Sequence, residues 1–132
     1  MRTVTKKILI VDENPASRKS FGDYIKGLGY EVLEAGSGPE AVEKASALRP
    51  DLIMMDLRLP GMHGDEATAR LKANRATQNI PVIISTAWTT ACNVAGRVER
   101  ALHAGAEEIL YRPFQLPVLR DLLRTYLQCS YE

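Results

Sequence analysis

At 132 residues, with 17 Lys and Arg against 16 Asp and Glu for a formal net charge of +1, the chain falls in the size range of one domain and can bury a real core. It carries no block of like charge, so nothing in its electrostatics calls for nucleic acid or an anionic membrane as a partner. No apolar segment approaches the roughly 20 residues that span a bilayer, Met1 to Lys7 run straight into a strand, and Cys92 and Cys129 lack CxxC or zinc-like spacing, so a cytoplasmic chain with reduced thiols is expected.

Lys7 to Val11 (KILIV) reads as a strand that ends on the acidic pair Asp12-Glu13, and Asn14-Pro15 then signals a helix start. From Ala16 the positions Phe21, Tyr24, Ile25 and Leu28 follow helical spacing until Gly27 and Gly29. Tyr30 to Glu34 predicts a second strand. Ser37 and Glu40 then have capping-box spacing ahead of a helix carrying Ala41, Val42, Ala45 and Leu48, which ends at Arg49-Pro50 because the residue before proline is pushed out of the α region.

The stretch from Pro50 to Gly64 holds an apolar run, Leu52 to Met55, that stops on one carboxylate, Asp56, before the loop Leu59-Pro60-Gly61-Met62-His63-Gly64. Its period alone fits a buried strand or a short buried helix; its length and its Pro and Gly boundaries favour the strand. A helix from about Asp65 to Asn74 follows. Ile80 to Thr86 predicts strand four, Trp88 to His103 helix four with Gly105 as its stop, and Glu107 to Tyr111 strand five. After Arg112-Pro113-Phe114 comes a last helix with Leu116, Leu119, Leu122, Leu123, Tyr126 and Leu127 on its apolar side.

Five strands alternating with five helices predict one α/β domain over residues 1–132, a three-layer α/β/α sandwich around a parallel sheet with right-handed crossovers. In such a sheet the residues that end the strands converge on one edge. Here these are Asp12-Glu13, Asp56, Thr86 and Arg112. Three carboxylates brought together raise one another's pKa unless a cation joins them, and oxygen ligands of this kind suit Mg2+, which needs only one or two carboxylates. The cation would neutralise a phosphoryl group arriving at Asp56, while Thr86 and Arg112 hydrogen-bond its oxygens. Alternation along the strand sends only one of Ser85 and Thr86 toward this edge, and the spacing from Pro81 selects Thr86. His63, on a Pro/Gly loop, reads as a solvated histidine, and His103 as a residue near a helix C-terminus.

The acidic pair in Ile8 to Pro15, Asp56 with its Pro/Gly loop, Pro81 to Ala87, and Ala104-Gly105-Ala106 leading to Arg112-Pro113-Phe114 together resemble the receiver domain of two-component response regulators. The resemblance covers essentially the whole chain. It implies a flavodoxin-like fold with strand order 2-1-3-4-5 and a phosphorelay role, the aspartate taking phosphate from a sensor histidine kinase or phosphotransfer protein with Mg2+ required. Carried over, Asp56 is the nucleophile, Thr86 the switch hydroxyl, and Asp12, Glu13, Asp56 and the Arg58 backbone carbonyl the metal ligands. A downstream protein target or output domain would read the phosphorylated state, with no direct nucleic-acid binding by these residues. The chain departs from the family pattern at Arg112, where a lysine usually precedes a cis-proline, at Ile109, where an aromatic switch residue is common, and in a longer stretch from Thr86 to Arg112. Aromatic bulk lies instead at Trp88 and Tyr111.

Two functions of different classes follow. One is a phosphoacceptor signalling module, not an enzyme acting on an outside substrate, though capable of self-catalysed phosphotransfer and autodephosphorylation. The other is a pseudo-receiver that binds partners without phosphorylation. A flavodoxin-like cofactor protein or small phosphohydrolase fits less well, because no Gly-rich phosphate loop follows strand one and Arg58, not an acid, stands two residues after Asp56.

Overall fold

The computed structural model describes residues 5–87 and 94–127. Among the described residues ten elements alternate: β1 (Lys7–Val11), α1 (Pro15–Gly27), β2 (Glu31–Ala35), α2 (Gly38–Leu48), β3 (Leu52–Asp56), α3 (Gly64–Ala73), β4 (Val82–Ala87), α4 (Val94–Ala104), β5 (Glu108–Arg112) and α5 (Leu116–Leu127). The strands form one sheet in the order β2-β1-β3-β4-β5, all parallel. The expected doubly wound fold is therefore the observed one, with element ends shifted by a residue or two. The segment around Trp88, Thr89, Thr90, Cys92 and Asn93, which includes the expected start of helix four, lies outside the described residues, as does Cys129.

Alternate residues of the central strands feed two separate cores. Ile53, Met55, Val82 and Ile84 pack with Ala41 and Ala45 of α2, Leu71 of α3 and Val98 and Ala101 of α4. Ile8, Ile10, Leu52, Met54, Ile83 and Leu110 pack with Ile25 of α1 and Leu119, Leu123 and Leu127 of α5. A strand buried on both faces reads as a continuous apolar run, which is why β1, β3 and β4 carry so little polar alternation. Two helix positions expected to be apolar contacts are instead exposed: Leu48 at the last turn of α2 and Leu116 at the first turn of α5. Both sit at a helix end, so their helical phase is right but the side chain stays in solvent.

Local chemistry sets the helix ends. Asn14 accepts hydrogen bonds from the N–H groups of Ala16 and Ser17, and Pro15 occupies the first turn of α1, where its missing N–H costs nothing. Gly29 closes that helix with φ +104°, a left-handed conformation that suits glycine. Ser37 caps α2 by accepting from Glu40 N–H at 3.2 Å, but the Glu40 carboxylate reaches one residue past the box expected and accepts from Gly36 N–H at 2.8 Å. At the far end Arg49, ahead of Pro50, leaves the right-handed region for φ 46°.

Candidate functional site

The carboxyl edge of the sheet gathers the polar strand ends. Asp56 is the last residue of β3, and its side chain is 14% exposed. Arg112, the last residue of β5, points Nη1 to within 3.5 Å of Asp56 Oδ1, and the bond that follows, Arg112–Pro113, is cis. Asp12, directly after β1, is 4% exposed. Its Oδ1 accepts from Asn14 N–H at 2.9 Å, and its backbone carbonyl accepts from Arg18 Nη1 at 2.7 Å. Arg18 in turn donates from Nε to Glu34 Oε1 at 2.9 Å, so α1 and β2 together fix the loop that carries the acidic pair.

Burial pushes the Asp56 carboxyl up to about 7; the Arg112 guanidinium opposes this, and the charges of Asp12 and Glu13, with a hydrogen bond to Asp12, add to it. Asp56 thus feels the charge of both members of the acidic pair. Glu13 itself is exposed. Among the described residues no three His, Cys, Asp or Glu side chains form a metal cage by themselves. That pattern is compatible with Mg2+, which keeps several waters and takes one or two carboxylates, and an all-oxygen set of carboxylates beside Asp56 fits such a hard ion.

The remaining predicted residues lie as follows. Thr86 is buried near the end of β4 and its hydroxyl donates to the Ala87 carbonyl over a long 3.4 Å. It shares the strand face of Ile84, whereas Asp56 continues the face of Leu52 and Met54. Arg58 is exposed in the bend after β3. Ser85 is the residue the sequence argument passed over: it is the register partner of Asp56 and is fully buried. Only strand register could have pointed to it. His63 differs from expectation, since it is half-buried rather than solvated, with Nδ1 buried and unpartnered, while its N–H donates to Glu66 Oε1 at 2.9 Å. His103 lies in the last turn of α4, exposed, as expected.

The family pattern of the response regulator receiver domain matches residues 8–124. The chain belongs to that family. It is 36% identical over 124 residues to the polar-differentiation response regulator DivK of Brucella ovis, a match that covers 94% of this chain and 98% of that protein. Among solved structures, the receiver domain of a sensor histidine kinase from Pseudomonas aeruginosa, with magnesium coordinated in its active-site cleft, superposes with a TM-score of 0.82 at 31% identity, covering 95% of this chain and 99% of that one. The signal receiver domain of a histidine kinase from Syntrophus aciditrophicus gives 0.85 at 29% identity, covering 97% and 96%. As a receiver domain, the chain carries a strand-edge aspartate beside an acidic pair and a basic residue. Among its described residues no helix is long and apolar enough to cross a membrane.

Proposed function

We propose that this receiver domain accepts a phosphoryl group on Asp56 from a phosphohistidine of a sensor kinase or phosphotransfer protein, and that a downstream protein reads the result. The supporting observation is the setting of Asp56: nearly buried at the sheet edge, flanked by Asp12 and Glu13, and 3.5 Å from the Arg112 guanidinium. In the transfer an Asp56 oxygen attacks phosphorus, the P–N bond breaks, and its electron pair stays on the imidazole, which takes up a proton. Arg112 then holds phosphoryl oxygens and Thr86 offers a hydroxyl from the neighbouring strand. Asp12, Glu13 and Asp56, with the Arg58 carbonyl, would hold Mg2+, which supplies neutralising charge to the incoming phosphoryl group. The chain acts in this reading as a cytoplasmic signalling protein and not as an enzyme on an outside substrate.

A second reading draws on the same ion pair. A guanidinium held against Asp56 neutralises the nucleophile in the resting chain, as a pseudo-receiver that binds partners without phosphorylation would tolerate. Labelling with acetyl phosphate in Mg2+ separates the two. The phosphoacceptor reading expects incorporation that Asp56→Asn abolishes, and its absence with both acetyl phosphate and kinase leaves the pseudo-receiver.

A further inference from the structure

Asp56, Ser85 and Arg112 share one face of the sheet. Leu52, Met54, Ile83 and Leu110 all pack under α1 and α5, and two residues farther along each strand stand Asp56, Ser85 and Arg112, at the carboxyl edge. Asp56 and Ser85 are direct register neighbours, and Leu57 N–H donates to the Ser85 carbonyl at 3.1 Å, which pins the two strand ends together. Ser85 pairs with Leu110, so Arg112 is its diagonal neighbour on β5, within reach of a long side chain.

Ser85 is 1% exposed, yet its Oγ has no hydrogen-bond partner, and Arg112 Nε is also buried and unpartnered. A buried polar group left unsatisfied is destabilising. The two are complementary, because Nε can only donate while a hydroxyl both accepts and donates. We propose that Ser85 is a positioning residue of the phosphoacceptor site: as Arg112 turns from Asp56 to the incoming phosphoryl group, the Ser85 hydroxyl accepts from Arg112 Nε, which aims the remaining guanidinium N–H groups at the phosphoryl oxygens. The inference rests on Asp56 being the phosphoacceptor. It also accounts for an arginine here, since a lysine ammonium has no second donor along its stem to be held, whereas a planar fork must be oriented to be useful.

The test is a double-mutant cycle. Wild type, Ser85→Ala, Arg112→Lys and the double variant are incubated with radiolabelled acetyl phosphate and Mg2+; an Asp56 oxygen attacks phosphorus, the P–O bond to the acetyl group breaks, and acetate leaves with the electron pair. Ser85→Ala is expected to slow labelling about tenfold, the effect of losing a hydrogen bond to a charged group, while melting no lower than wild type, since it removes a hydroxyl unpartnered in the resting chain. In the Arg112→Lys background the same change should have no further effect, because the Nε donor is gone. Equal labelling of wild type and Ser85→Ala, or an equal loss in both backgrounds, overturns the proposal and leaves Asp56 as acceptor. No Asp56-dependent labelling of wild type overturns the acceptor reading and this inference with it.

Discussion

Asp56 carries an energetic burden that its neighbours modulate. Its carboxyl sits at about 7 against a reference of 3.8, so between those values the folded chain holds a proton that the unfolded chain has released. Stability is therefore fully present below pH ~4 and falls as pH rises toward 7, where the buried carboxylate ionises. Asp56→Asn removes this dependence: in divalent-free buffer at pH 8 it should melt several degrees above wild type, with the difference shrinking as pH falls to 4, measured by circular dichroism. Of the groups acting on Asp56, Arg112 is the one that lowers its pKa. Arg112→Met should accordingly move the Asp56 midpoint above 7 in a carbonyl 13C titration; an unchanged midpoint would mean that the 3.5 Å pair contributes little in solution.

At the scale of elements, the site depends on how closely loops fold back over strand ends. Gly64, the first residue of α3, donates its N–H to the Leu57 carbonyl at 2.7 Å, and a Cβ there would stand 2.5 Å from the Asp56 backbone oxygen and 3.0 Å from Leu57 Cα. These are backbone atoms that have no rotamer to yield. Gly64→Ala should destabilise the domain by about 1–3 kcal/mol in urea denaturation and weaken Mg2+ binding by displacing the end of β3. The loop sequence Pro60-Gly61-Met62-His63-Gly64 announces a turn, but only the packed chain reveals that its last glycine is needed for approach and not for φ.

At the scale of the molecule, the helical layer over one face is tied by charge as well as by apolar contact. Asp65 of α3 is 3% exposed at its side chain and pairs with Arg97 Nη1 at 3.1 Å and Arg100 Nε at 3.3 Å, both on α4. Asp65→Ala should cost on the order of 1–3 kcal/mol in urea denaturation, because the arginines, being partly exposed, recover water while the α3–α4 bridge is lost. A similar tie joins the opposite end of the sheet, where Lys72 Nζ donates to the Ile80 carbonyl at 2.7 Å and to Glu107 Oε2 at 3.3 Å, and Glu107 Oε1 accepts from Val82 N–H at 2.7 Å.

The sequence by itself determined the alternation of elements, the convergence of Asp12, Glu13, Asp56 and Arg112 on one edge, and hence the family, because hydrophobic period, Pro/Gly punctuation and parallel topology are local or follow from short-range rules. It located Ala41 and Ala45 of α2 in the core but misjudged Leu48 and Leu116, whose helical phase is right but which lie exposed at helix ends. The role of Ser85 was out of reach for the same kind of reason. Alternation tells which residues of one strand share a face, but which residue of β4 stands beside Asp56 is set by register, a relation between distant segments that only the folded sheet fixes.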